Sequence, residues 1–285
     1  MSVFVPYLLD EALDILARNP NLTVLAGGTD LMVAINSGHI RPAQMICVNR
    51  VRELRTWSHD PTGNRLRIGA GITYAELMAP PLASLVPALA QAARTVGSPQ
   101  IRNAATIGGN VATSSPAGDG LPVLAALDAV VHVESADGRR DVPFADFATA
   151  PKRTVLAAGE LITAISVPVL DGYQGYTKVG VRNAMVIATA SACLAVDTVG
   201  RSVRLALGSV GPVIIRATEA EAIADAAADF DNRSIDADLV TEFAAAAAAA
   251  ARPIDDHRST AAYRRHAIEV LARRLLVRAF PGTSV

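Results

Sequence analysis

The chain is 285 residues long, 51% apolar and 19% charged, with a formal net charge of −1, a composition that marks a folded globular protein and excludes a disordered one. It has no basic block of the kind that tracks nucleic acid. Its two cysteines, Cys47 and Cys193, lie far apart in apolar runs; they cannot form an iron–sulfur or structural zinc site and read as buried free thiols of a reducing compartment.

The N-terminus, Met1-Ser2-Val3-Phe4-Val5-Pro6, lacks the basic start and long apolar stretch of a signal peptide. No apolar run reaches the ~18 residues of a membrane span. The expected location is therefore the cytoplasm. Leu8 to Ala17 has helical spacing and is stopped at Asn19-Pro20-Asn21. Thr23 to Ala26 reads as a short buried strand ending at Gly27-Gly28, Leu31 to Ile35 as a helix, and Gln44 to Val48 as a second strand. This small α/β unit puts a glycine pair at the carboxyl end of a strand, where open sheets bind ligands.

A second unit begins near Leu66-Arg67-Ile68-Gly69, and Thr73-Tyr74-Ala75-Glu76 has the spacing of a capping box. Pro87 to Val96 reads as a helix, followed by a long polar loop from Gly97 to Asp119 that carries the second glycine pair. Pro122 to Leu127 is expected as helix, with Val130 to Glu134 and Leu161 to Val167 as strands. Asp171 to Gly175 reads as a linker. Beyond it, Met185 to Val196 and Val203 to Leu207 are strand-like, with a turn at Gly200. The tail from Ala217 is expected to be helical, its alanine run from Ala244 to Ala251 included. A final helix from Ser259 to Ala279 should pack back on the sheet.

The chemistry-bearing residues gather at the glycine pairs. Glycine lets the main chain approach a ligand closely, and a strand-to-helix turn aims N–H groups at an anion. Ala26-Gly27-Gly28-Thr29-Asp30 has this form, with Thr29 as an added donor and Asp30 suited to cap the next helix. Thr106-Ile107-Gly108-Gly109-Asn110 runs on through Thr113, Ser114, Ser115 and Pro116 to Asp119, which can accept from sugar-type hydroxyls or cap a helix. Two such segments fit a ligand with two linked phosphates. Rival signals fail. Gly69-Ala70-Gly71 opens like a Rossmann fingerprint, but Tyr74 occupies the third glycine position. Neither lysine, Lys152 or Lys178, sits in a P-loop, and the five histidines show no metal spacing. With no acid–base pair evident, the chemistry is expected to belong to a cofactor.

Taken together, these residues resemble the FAD-binding (medium) subunit of molybdenum hydroxylases, the xanthine dehydrogenase, carbon monoxide dehydrogenase and aldehyde dehydrogenase family. The resemblance rests on Ala-Gly-Gly-Thr-Asp-Leu at 26–31, Val-Gly-Ser-Pro-Gln-Ile-Arg-Asn at 96–103, Thr-Ile-Gly-Gly-Asn at 106–110 and Ser-Pro-Ala-Gly-Asp at 115–119. Tyr176-Thr177-Lys178, the turn at 207–212 and Ser-Thr-Ala-Ala-Tyr-Arg-Arg at 259–265 extend it over nearly the whole chain.

The resemblance implies an α+β protein: a two-subdomain FAD-binding fold of the PCMH type over residues 1–55 and 56–170, then an α+β C-terminal domain of antiparallel sheet and helices over 171–285. It implies FAD as cofactor, held at the pyrophosphate and its neighbourhood by Val24, Leu25, Ala26, Gly27, Gly28, Thr29, Asp30 and Leu31 together with Thr106, Ile107, Gly108, Gly109 and Asn110. Val96 and Ile162 would be apolar contacts, with Ala112 and Thr113 near the flavin ring. Asp119 would bind a polyol hydroxyl, and Lys178 would lie by the pyrimidine edge, where a cation stabilises the reduced ring.

No residue of this chain is expected to be catalytic or to bind metal. Iron–sulfur clusters are expected on a small partner subunit and molybdopterin on a large one, with NAD or another carrier as the electron acceptor. The chain departs from the family at Ala184-Met185-Val186, apolar where relatives often carry a polar or acidic residue, which leaves the outer flavin edge and the acceptor open. Two other readings stand beside this one: a self-contained flavin oxidoreductase, which needs an acid or base this sequence does not display, and a non-catalytic assembly subunit whose glycine loops are turns.

Overall fold

The computed structural model describes residues 2–283. The first unit is a three-stranded parallel sheet built from β1 (Ser2–Phe4), β2 (Thr23–Leu25) and β3 (Gln44–Cys47) in the order β1-β3-β2. Helix α1 (Leu9–Arg18) buries Ala12, Leu13 and Leu16, the stripe that its spacing predicts, and keeps Asp10 and Glu11 in its first turn, where they complement the helix dipole. Helix α2 (Leu31–Asn36) follows the first glycine pair and buries none of its residues. Asp30 occupies its N-cap position without a side-chain capping bond, contrary to the capping role expected for it.

The second unit is a five-stranded antiparallel sheet with helices on one face. After a 3₁₀ turn (Glu53–Arg55) come β4 (Trp57–Asp60) and β5 (Arg65–Gly69), then helices α3 (Tyr74–Leu77), α4 (Leu82–Leu85) and α5 (Pro87–Thr95). The polar stretch expected as a loop holds two short helices, α6 (Pro99–Ala104) and α7 (Ile107–Thr113). Small polar residues misled there: Ser98 and Thr106 are N-caps, accepting from the N–H groups of Ile101 and Gly109. Helix α8 (Gly120–Ala126) is buried along its whole length. It leads to β6 (Val130–Ser135), β7 (Gly138–Pro143), α9 (Phe144–Phe147), the small hairpin β8 (Ala148–Ala150) and β9 (Arg153–Thr154), and β10 (Leu161–Pro168). The sheet order is β4-β5-β10-β6-β7.

Helix α3 begins in a full capping box. Thr73 Oγ1 accepts from the Glu76 N–H, and Glu76 Oε2 accepts from the Thr73 N–H at 2.8 Å. Thr73→Ala is expected to destabilise the protein by about 1 kcal/mol in urea titrations; an unchanged midpoint would remove the box from the reasons this helix forms.

The third unit contains β11 (Gly172–Val179), β12 (Ala190–Asp197), β13 (Ser202–Gly208) and β14 (Ile215–Arg216), antiparallel in that order. It is covered by α10 (Thr218–Ala227), α11 (Ala237–Ala250) and α12 (Ala261–Ala279). Helix α12 packs on the sheet as expected. Two expectations fail here. Asp171 to Gly175 is not a linker: from Gly172 onward it is the start of β11, paired from Gly172↔Asp197. Glycine-rich composition reads as a turn, while pairing with β12 and the packing of α5 and α12 on β11 order the segment. The strand expected from Met185 starts only at Ala190. Before it Met185 has a left-handed φ of 49°, and Arg182 donates to the carbonyls of Ala184 and Met185. These residues form an exposed loop whose apolar tips Val181, Met185 and Ile187 mimic a buried strand.

Cys193 is a buried free thiol whose pKa burial pushes up, so it is inert. Cys47 is only half-buried. Among the described residues, no helix is long and apolar enough to cross a membrane.

Candidate functional site

The two glycine segments meet. A Cβ built on Gly27 would stand 1.8 Å from the Ala104 carbonyl oxygen and 3.1 Å from the Ala105 Cα. The turn after β2 therefore lies directly on the backbone that leads into Thr106. Only glycine permits that approach. Gly28 is needed for a second reason, a positive φ of 73°.

Their donors differ. Among the described residues, the backbone N–H groups of Gly27, Gly28, Thr29 and Asp30 have no hydrogen-bond acceptor in the protein, and Gly27 to Thr29 are half-buried. Four consecutive N–H groups without an acceptor in the protein are the donors an anion cradle requires. The second segment has spent its donors on the fold. Ile107 N donates to Ile72 O, Gly108 N to Ala70 O at 2.9 Å, and Gly109 N to Thr106 Oγ1 at 3.0 Å. What it offers is bare surface: beyond Gly109 only Thr106 Oγ1 comes within 4 Å of a built Cβ, whereas Gly108 is sealed against Ala70, whose Cβ lies 2.5 Å from the built position.

The β5–β10 ladder explains how α7 is placed. It pairs Ala164 with Gly69, and one step farther Thr163 O accepts from Ala70 N at 3.0 Å; on the other side of β10 a bulge shifts the register with β6 between Ile162 and Ala164. Ala70 O in turn receives Gly108 N. Ile162, beside the bulge, is a core residue of β10.

From α7 the contacts lead to Asp119. Asn110 Oδ1 accepts from the buried Tyr74 hydroxyl at 2.7 Å. Cβ atoms built on Gly118 and Gly120 would fall 2.8 Å from Asn110 Nδ2 and 3.1 Å from Asn110 Oδ1. The residue between those glycines, Asp119, does not cap α8, contrary to the capping alternative. Its Oδ2 accepts from Lys178 Nζ at 2.7 Å and its Oδ1 from the Tyr176 hydroxyl at 2.8 Å. Lys178 also donates to Thr95 O at 2.9 Å and Val186 O at 3.1 Å. The Asp119 and Lys178 side chains are each 9% exposed, so the lysine is no surface cation.

Burial, the strongest influence, raises the Asp119 carboxyl above its ordinary value; the Lys178 charge and the hydrogen bonds from Lys178 and Tyr176 oppose it. The Tyr176 phenol is pushed far up, first by burial and then by the Asp119 charge, so it stays a donor.

Gly27 to Asp30, the segment from Thr106 to Asn110 and the Asp119–Lys178 pair are thus neighbours, but Thr106, Ile107 and Gly108 are themselves buried, and of their segment Gly109 and Asn110 are half-buried. Ala112 is exposed and Thr113 half-buried on α7, and Val96 is half-buried just beyond α5. Val24 lies exposed on β2, and Leu25, Ala26 and Leu31 are half-buried around the turn. Sequence reasoning did not single out Tyr176 as a site residue. Its signal was the i, i+2 spacing to Lys178, which sets both on one strand face. Thr95 and Gln91, on a helix read only as packing, carried no signal. The residues fit a dinucleotide: free backbone donors for a phosphate, a bare glycine for close approach, and a carboxylate and an ammonium farther along.

The comparisons agree. Residues 1–170 match the family described as FAD binding domain in molybdopterin dehydrogenase, and residues 175–279 the family described as CO dehydrogenase flavoprotein C-terminal domain. The glyceraldehyde dehydrogenase medium chain of Sulfolobus acidocaldarius is 36% identical over 270 residues, covering 93% of each chain. The nicotinate dehydrogenase FAD-subunit of Eubacterium barkeri is 35% identical over 68% of this chain and 67% of its own length. The carbon monoxide dehydrogenase structure from Hydrogenophaga pseudoflava superposes with a TM-score of 0.87 at 28% identity, covering 99% of this chain and 97% of that one.

Proposed function

This chain belongs to the FAD-binding subunits of molybdenum hydroxylases, and we propose that it is the electron relay of such a complex. It would take electrons from iron–sulfur clusters on a small partner subunit, themselves supplied by a molybdopterin-bearing large partner, and deliver them to an external acceptor such as NAD or a quinone-linked carrier. FAD supplies the ability to accept electrons singly and release them singly or in pairs. The observation that carries the reading is the run of contacts that joins the free N–H groups of Gly27 to Asp30, through the backbone of Ala104 and Ala105 and then Asn110, to the buried Asp119–Lys178 pair.

The protein's own part is to bind, orient and charge that surface. The N–H groups after β2 take up phosphate, and the bare face of Gly109 lets the cofactor lie against α7. Asp119 accepts a polyol hydroxyl, and Lys178 holds positive charge where reduction places negative charge. Cluster ligands are assigned to the partner because Cys47 and Cys193 are isolated thiols, which also suit a reducing, cytoplasmic location. The division at 1–55, 56–170 and 171–285 is part of the same reading, one unit per main sheet.

The test is the visible spectrum of the full chain incubated with FAD and desalted, with the released cofactor identified by chromatography. The expected result is bound FAD and no turnover of aldehydes, purines or N-heterocycles by the chain alone. A lone chain that oxidises one of them would overturn the relay role. Gly109→Ala, whose methyl would meet only the Thr106 hydroxyl, at 3.0 Å, so that this cap must give slightly, is expected to change stability by no more than about 1 kcal/mol yet to weaken FAD binding about tenfold. Wild-type affinity in that variant would remove α7 from the cofactor surface.

A further inference from the structure

The Asp119 carboxylate owes its place to a residue outside the cofactor assignments. Its two oxygens have different donors, Lys178 on Oδ2 and Tyr176 on Oδ1. Lys178 is shared, its three protons divided among Asp119, Thr95 O and Val186 O. The single hydroxyl proton of Tyr176 goes to Asp119. Tyr176 is itself pinned: β11 is the edge strand of its sheet, and the Tyr176 N–H facing outward donates to Gln91 Oε1 of α5 at 2.8 Å. The tyrosine thus carries the register between α5 and β11 directly to the carboxylate.

We propose that Tyr176 is a positioning residue of the cofactor site: its hydroxyl fixes Oδ1 of Asp119, keeping the carboxylate ionised, turned toward the ligand and able to hold Lys178. This rests on the reading that Asp119 belongs to the FAD site. A buried carboxylate stays charged only while enough donors face it. Those facing Asp119 are Lys178 and Tyr176 from β11, while the Thr95 hydroxyl of α5 donates to Ala92 O; the buried phenol of Tyr74 is also in its field. No histidine is among them. Tyr176→Phe keeps the ring and removes one donor, so the proton affinity of Asp119 rises. Once protonated, Asp119 lets go of Lys178 and no longer accepts as an anion, so FAD binding weakens as pH falls.

The experiment titrates FAD onto the full chain by flavin fluorescence at several pH values between about 8 and about 5.5. It uses wild type, Tyr176→Phe, Asp119→Asn and the double variant. Wild type is expected to bind with a flat pH profile, and Tyr176→Phe to lose about tenfold in affinity across the range. Asp119→Asn should bind more weakly at every pH without a slope, and adding it to Tyr176→Phe should abolish the slope.

A Tyr176→Phe profile as flat as wild type overturns the proposal, whatever happens to its melting temperature. Wild-type affinity in Asp119→Asn removes Asp119 from the FAD site, and the proposal with it. Because Tyr176→Phe could compromise folding, infrared difference spectra of wild type against Asp119→Asn give a second readout. The proposal expects no protonated-carboxyl band from Asp119 in wild type over the same pH range; such a band overturns it.

Discussion

Lys178→Met is expected to lower the free energy of unfolding by about 3–5 kcal/mol near neutral pH, with the deficit shrinking on acidification. Methionine nearly matches the lysine stem in length, so the packing of the aliphatic part is kept and the ammonium is lost. The carboxylate left behind is only 9% exposed, and an uncompensated charge at that depth is what makes breaking a buried pair costly. Two carbonyls, Thr95 O and Val186 O, lose a donor at the same time.

The pH trend follows from the direction of the Asp119 shift. Burial already raises its carboxyl above the ordinary value in the folded protein, and Lys178 is the main opposing influence. Without the lysine the folded-state pKa climbs further above the unfolded one. A group raised in this way contributes its stability below the unfolded pKa, about 4 for Asp, and loses it as pH rises through the folded value. The variant therefore suffers most at neutral pH and recovers as Asp119 takes up a proton. Urea titrations at about pH 7.5 and about pH 5 check this. An equal deficit at both would show that the cost does not come from a stranded Asp119. The same sign holds in the wild type: the ionised carboxylate is kept at some expense of stability, which favours a functional reason for it.

Gly27→Ala carries the second large effect. The added methyl would sit 1.8 Å from the Ala104 carbonyl oxygen and 2.6 Å from its carbon, both main-chain atoms, so no side-chain rotation relieves the clash. The segment it strikes is fixed, since Ala105 N donates to Ile101 O and Ala105 O accepts from Tyr74 N. The turn after β2 must therefore lift away. A stability loss of about 3 kcal/mol is expected, with FAD affinity lower by about 100-fold because the turn after β2 separates from the segment leading into α7. Gly38→Ala is the control: Gly38 has a positive φ of 75° but nothing within 4 Å of its built Cβ, so backbone strain alone should leave FAD binding unchanged. Wild-type affinity in Gly27→Ala would mean that the two glycine segments do not share one ligand.

Particular elements show what could be read in advance. Helix α1, the capping box at Thr73, the strand ending at Gly27 and the placement of α12 on the sheet all follow from local spacing and caps. Where the sequence misled, the deciding partner was distant. Helices α6 and α7 were hidden by the small residues that cap them, and β11 by glycines that only pairing with β12 and packing of α5 and α12 order. The apolar loop before β12 looked like a strand because exposure is not written in composition.

The site divides along the same line. By itself the sequence determined where the backbone carries no side chain and can be approached closely, because glycine at 27, 28, 108 and 109 acts through the absence of a side chain at its own position; whether that space faces a ligand or is filled by another part of the chain was a tertiary matter. The sequence also set Tyr176 and Lys178 on one face of a strand, since alternation is a property of the strand alone. Only the tertiary structure decided that the donors of α7 would be consumed by Ile72 and Ala70 while those after β2 stay free. It alone brought Lys178 onto Asp119 across 59 residues of chain and buried the pair. Hydrogen-bond satisfaction and desolvation depend on what the rest of the chain places nearby, and no local pattern encodes them.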